Sequence, residues 1–180
     1  MNEEIKVGGH ISRQFDEELE EIRARVLKMG GLVEAQLDKT LHALREDSSE
    51  QIVDVEKLDR KVNKLEMLID EECTQILAKR QPAAGDLRLI IATSKSVRDL
   101  ERIGDEAERV ATMVRHALDN DASNKSFKGL LSLGEHVKEL LHATLNTYAR
   151  MDSRSAVLNM RMDQHILSLI HISEPTRHRR

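Results

Sequence analysis

The chain has 180 residues, of which 39% are hydrophobic and 33% charged, with a formal net charge of −4. That is enough apolar residue for a buried core in one domain or two small ones. The acidic balance, with two Phe, one Tyr and no Trp, excludes the basic grooves and stacking platforms of nucleic-acid binders.

Leu, Ala, Glu, Lys, Arg and Met carry the sequence and only two prolines interrupt it, an all-α composition. From Phe15 the apolar residues recur as Leu19, Ile22, Val26, Met29, Val33, Leu37, Leu41 and Leu44, and steps of three and four predict a long amphipathic helix over about 12–46. DSSEQ at 47–51 supplies a break and an N-cap. A second helix then carries Ile52, Val55, Leu58, Val62, Leu65, Ile69, Cys73 and Ile76, stopping before Pro82 with Lys79 and Arg80 against its C-terminal dipole. Cys73 falls on the apolar face and reads as a core thiol in a reduced, cytoplasmic setting. MNEEIK at the start is no export signal, and LIIA at 89–92 is too short to span a bilayer. A third helix is predicted from about Ala84 to Leu118, and DNDASNKS at 119–126 reads as a linker.

Beyond the linker the sequence begins again. At a constant offset of 104, Leu27 meets Leu131, Gly30 meets Gly134, Val33 meets Val137, Leu37 meets Leu141, Leu41 meets Leu145 and Asp59 meets Asp163. Such a run on one helical stripe predicts two copies of a three-helix unit: a first bundle over 10–118 and the start of a second, incomplete one over 123–166. Residues 167–177, LSLIHISEPTR, match nothing upstream and look like the translation of a transposase mosaic-end adapter from sequencing libraries. The tail over 167–180 is therefore expected to be non-native, its His171, His178, Arg177, Arg179 and Arg180 forming no site. The native chain is expected to continue for most of another helix pair.

The chemistry concentrates in acidic stripes. Asp59, Asn63, Glu66 and Asp70 share one stripe of the second helix, at the edge of its apolar face, and Glu101, Asp105 and Glu108 share another on the third. Antiparallel packing of these helices brings the stripes together, where carboxylates without basic partners have raised pKa values or recruit a cation. Oxygen donors suit hard or borderline metals. Gly104, between Glu101 and Asp105, costs a helix interior about 1 kcal/mol relative to alanine, so it is expected to admit a neighbouring backbone or a metal cluster. The competing reading is of solvated faces neutralised by Arg60, Lys64, Arg98 and Arg102. Glu139 and His142 form a single ExxH, the unit di-iron bundles use in pairs; with Ala35 and Asp38 at the equivalent positions, it reads as a surface Glu and a boundary His. No nucleotide-binding or hydrolase motif occurs.

VLKMGGLVEAQL at 26–37, LEMLIDEEC at 65–73, AKRQPAAGDLRLI at 78–90 and DLERIGDEAERV at 99–110 closely resemble the PhoU family of phosphate-signalling regulators, in the family's order, over roughly residues 10–166. The resemblance implies two tandem three-helix bundles in a cytoplasmic, non-enzymatic accessory protein of the high-affinity phosphate transporter. Such a protein couples the transporter's ATP-binding subunit to a sensor histidine kinase and represses the starvation response when phosphate is plentiful. It also implies a homodimer and, in some members, multinuclear iron or other divalent metal clusters on paired E(D)xxxD motifs, carried here by Glu66 with Asp70, Glu101 with Asp105, and Asp59. The second acidic motif pair is absent, so only the first bundle has candidate ligands, and helices four and five are expected to expose apolar stripes that favour aggregation or oligomers. The alternative function is a carboxylate-bridged di-metal oxidase or metal store, which needs histidines facing the carboxylates. RQPAAGDLR reads as a helix-to-helix turn, with Arg80, Asp86 and Arg88 as a possible partner contact.

Overall fold

The computed structural model describes residues 13–46, 50–119 and 128–161. The chain runs as α1 (Arg13–Glu46), α2 (Glu50–Arg80), α3 (Ala84–Asp119) and α4 (Lys128–Arg150), followed by a helical segment over residues 153–161. All regular structure among the described residues is helical. The expected N-cap at 47–49, most of the linker, and the expected non-native tail lie outside the described residues.

Each helix ends for a local reason. α2 stops at Arg80 because Gln81 takes a left-handed conformation, φ 45°, one residue before the proline that cannot continue a helix. α4 closes with Met151 at φ 52°, its N–H bonding the Tyr148 carbonyl at 3.1 Å while Asp152 N–H bonds that of Thr147 at 3.1 Å, the paired bonds of a Schellman cap. Asp152 then caps the next segment, accepting from the backbone N–H of Arg154 at 3.0 Å and of Ser155 at 3.2 Å.

The apolar stripes meet in one core. Phe15, Ile22, Val26, Met29 and Val33 of α1 pack with Val62, Ile69, Cys73 and Ile76 of α2, Ile90, Val97 and Leu100 of α3, and Leu141 of α4. A second cluster, Leu44, Ile52, Val55, Ala111 and Val114, closes the end near the α1–α2 turn. Cross-helix pairs fix direction and register. Arg25 with Glu72 (2.8 Å) and Lys39 with Asp54 (3.1 Å) make α1 and α2 antiparallel. Ser94 with Asp70 (2.7 Å) and Arg115 with Glu56 (2.8 Å) do the same for α2 and α3.

α4 lies antiparallel along α1, tied by Lys138 to Asp38 (2.7 Å) and His142 to Glu34 (2.7 Å). The two backbones approach at glycines. A Cβ on Gly30 would overlap the Leu145 methyls, and one on Gly134 would overlap a methyl of Leu41. These are the positions related by the 104-residue repeat, so the contact is reciprocal. Leu130 of α4 and Val157, Leu158 and Met160 beyond it remain exposed.

Candidate functional site

On α1 the buried stripe Met29, Val33, Gln36, Thr40, Leu44 contains two polar side chains. Thr40 donates to the Ala107 carbonyl at 3.1 Å. Gln36, 0% exposed, points between α2 and α3: its Nε2 donates to Asp59 Oδ1 at 3.3 Å and lies 3.5 Å from the Gly104 carbonyl. The presence of Gly104 follows from this arrangement. A Cβ there would come within 2.8 Å of Gln36 Oε1, so the helix gives up a side chain to admit an amide from α1. The nearest neighbour of Gly104 is thus a side chain, where a backbone approach was one of the expectations.

Antiparallel packing runs Asp59 and Glu66 of α2 past Asp105 and Glu101 of α3. Glu101 carries the electrostatic record of that meeting: partial burial, then the negative charges of Asp105, Glu66 and Asp59, push its carboxyl above the usual glutamate range. None of Asp59, Glu66, Asp70, Glu101 and Asp105 has an ion pair to Lys or Arg among the described residues; Arg102 pairs with Asp99 instead, at 3.4 Å. Asp70 stands apart, one turn further along α2, where Ser94 donates to its Oδ1. Four of the five expected site residues thus share a seam, and the fifth is held by a hydroxyl.

Whether these residues fit a metal depends on donor chemistry and placement. The donors are all oxygen, and two buried amide oxygens, Gln36 Oε1 and Asn63 Oδ1, have no hydrogen-bond partner; this suits a hard cation. In their present rotamers no three His, Cys, Asp or Glu side chains among the described residues are grouped to hold a metal ion. The ExxH lies elsewhere. Glu139 is exposed, and His142 Nδ1 meets Glu34 at the α1–α4 contact, away from the seam. Arg80 is engaged by Glu18, through Nε at 3.2 Å and Nη2 at 2.7 Å. Cys73 is buried, and desolvation with the charges of Asp70 and Glu72 pushes its thiol up to about 11, which removes it as a nucleophile.

A family profile described as the PhoU domain matches residues 26–114. The chain is 42% identical over 164 residues to the phosphate-specific transport system accessory protein PhoU of Escherichia coli K12, covering 90% of this chain and 67% of that one. The chain belongs to the PhoU family. A PhoU homolog of Pseudomonas putida is 44% identical over 157 residues, 87% of this chain and 61% of the relative. The chain thus spans about two thirds or less of those two relatives' length. The crystal structure of PhoU from Pseudomonas aeruginosa superposes with a TM-score of 0.85 at 40% identity, over 89% of this chain and 77% of that one. The phosphate transport system regulatory protein PhoU of Streptococcus pneumoniae gives 0.79 at 27% identity, over 88% and 74%. The helical-bundle fold expected from the PhoU resemblance is therefore the observed one.

Gln36 and Ser94 were not among the expected site residues. Gln36 left a signal: a polar residue in step with Val33 and Thr40 on an apolar stripe, where the repeat places Leu140.

Proposed function

We propose that this PhoU-family chain serves a phosphate-specific transport system as a cytoplasmic accessory protein. In this reading it links the transporter's ATP-binding subunit to a sensor histidine kinase, and represses the starvation response when phosphate is plentiful. The observation that carries the reading is the 42–44% identity to relatives named for that system, over 87–90% of the chain. No described helix is long and apolar enough to cross a membrane. The mechanism is binding alone, with a surface whose affinity for its partners differs between phosphate states. The protein acts as a homodimer, which covers the exposed apolar residues of α4 and the segment after it.

The seam of Asp59, Glu66, Glu101 and Asp105, extended by Asp70, is the proposed seat of a divalent metal or multinuclear iron cluster. Bound metal supplies positive charge to carboxylates that otherwise repel. The protein's own residues position it: α2 and α3 present the oxygens, and Ser94 orients Asp70. The oxidase alternative has no support from His142, which faces α1.

Expression of this chain in a bacterium lacking its own PhoU tests the regulatory reading. Repression of a starvation-induced phosphatase reporter in high phosphate, with co-purification of the transporter's ATP-binding subunit, is the expected result. A constitutively active reporter together with no recovered subunit, from a chain shown to be folded, would contradict it.

A further inference from the structure

The α1–α4 face is built from one motif used twice. On α1 it reads Gly30, Glu34, Asp38, Leu41; at the 104-residue offset α4 reads Gly134, Lys138, His142, Leu145. The shape is shared, since the glycine of each helix makes room for the leucine of the other. Sterically, then, α1 offers a second α1 the same seat that it offers α4. The charges differ. Glu34 meets His142 Nδ1 and Asp38 accepts from Lys138, both at 2.7 Å. Glu34 and Lys138, equivalent in the repeat and opposite in sign, are the half-buried members of the two pairs, 27% and 32% exposed.

In the same antiparallel register, other pairings fare worse. α1 on a second α1 sets Glu34 against Asp38 twice, carboxylate on carboxylate. α4 on a second α4 sets Lys138 beside His142, and neither finds a carboxylate across the contact. Arg45 with Glu135 adds a pair that only α1 with α4 can make, because the equivalent residues are Ala149 and Gly31. Opposite charges gain little at a surface, but like charges in their place add a cost, and the two-fold counts each difference twice. Where shape does not discriminate, that sum decides the partner.

We propose that Glu34 and Asp38 make this face of α1 a selective seat for a helix of the α4 type. Such a helix carries a glycine, two nitrogen donors at four-residue steps and a leucine; a helix of the α1 type is refused. The occupant is α4 of the same chain or of a second copy, so copies that meet through this face do so by exchanging α4. The inference is independent of the regulatory and metal readings.

Tyr148 of α4 packs on the core and is the only Tyr in a chain without Trp, so its emission follows the docking of α4. The test is the urea midpoint of that emission in full chains, with capture of untagged chain by tagged chain. Lys138→Glu with His142→Asp gives α4 the acidic pair, and Glu34→Lys with Asp38→His gives α1 the basic one. Each double variant is expected to lower the midpoint. All four substitutions together restore opposite charges within one chain and are expected to recover most of it. Mixed in equal amounts, the two double variants are expected to regain the midpoint and to capture each other about tenfold more than either captures itself. Double variants with an unchanged midpoint, or a fourfold variant that recovers nothing, overturn selection by charge. Recovery in the fourfold variant without preferential capture in the mixture overturns the exchange between copies. If the double variants do not fold, the fourfold variant decides, and one that also fails to fold overturns the proposal.

Discussion

Leu145 of α4 sits in the space that a side chain on Gly30 of α1 would fill, and Leu41 does the same over Gly134. The two contacts exchange under the 104-residue repeat, so the α1–α4 crossing is a pseudo-two-fold contact built by one sequence motif used twice. Gly31, next door, has nothing within 4 Å of its would-be Cβ. Gly31→Ala is expected to stabilise the chain by about 0.5–1 kcal/mol through helix entropy alone. Gly30→Ala gains the same entropy but overpacks against Leu145 at a cost of about 1–3 kcal/mol, so it is expected to destabilise. Urea unfolding of both variants checks this, and in a Leu145→Ala background Gly30→Ala is expected to become stabilising.

The ion pair between Lys138 and Asp38 ties the same two helices. The Lys138 ammonium, hydrogen-bonded to Asp38, holds that carboxyl below the usual aspartate range. A depressed folded pKa contributes stability above the unfolded value of about 3.8, lost as pH falls through the folded one. Asp38 remains largely exposed, so solvent screens the pair to about 0.2–1 kcal/mol. A Lys138→Met, Asp38→Asn double-mutant cycle by thermal unfolding is expected to return a coupling of that size at pH 7. The coupling should shrink in high salt and vanish well below the aspartate range.

Glu101 has the opposite sign. Its raised folded pKa means that the stabilising contribution of protonation is complete below the unfolded value of about 4.5 and is lost as pH rises through the folded one. Glu101→Gln is therefore expected to raise Tm near pH 7 and to change it little near pH 4. An equal shift at both pH values would show that charge repulsion is not the cause.

Cys73, 2% exposed with its thiol pushed up to about 11, is expected to resist a thiol reagent such as DTNB in the native chain. It should react only as fast as the chain opens. Rapid stoichiometric labelling at pH 7 in buffer would contradict its place in the core.

The parts of the fold that follow from periodicity and local stops were legible in the sequence. The expected first helix over 12–46 is Arg13–Glu46, and the second ends at Arg80, ahead of Pro82, as anticipated. These features depend on neighbours within one or two turns. The convergence of Glu66 with Glu101 was legible as a consequence of antiparallel packing. Individual side-chain contacts between distant helices were not legible. Gln36 reaches Gly104 across 68 positions, and His142 finds Glu34 across 108, contacts that no spacing rule encodes. Asp70 shares the stripe with Glu66, as expected, but its hydroxyl partner on α3, Ser94, was not foreseen.

The shared acid seam between α2 and α3 is most directly tested by NMR titration of the Glu101 side-chain carboxyl in wild type and in Glu66→Gln. Glu66 is on the facing helix, so its charge reaches Glu101 only if the two edges meet. An elevated pKa in wild type that falls toward the ordinary glutamate value in Glu66→Gln is the expected result. An ordinary value in both, or an elevated one indifferent to Glu66, would mean that the two helices keep their carboxylates apart.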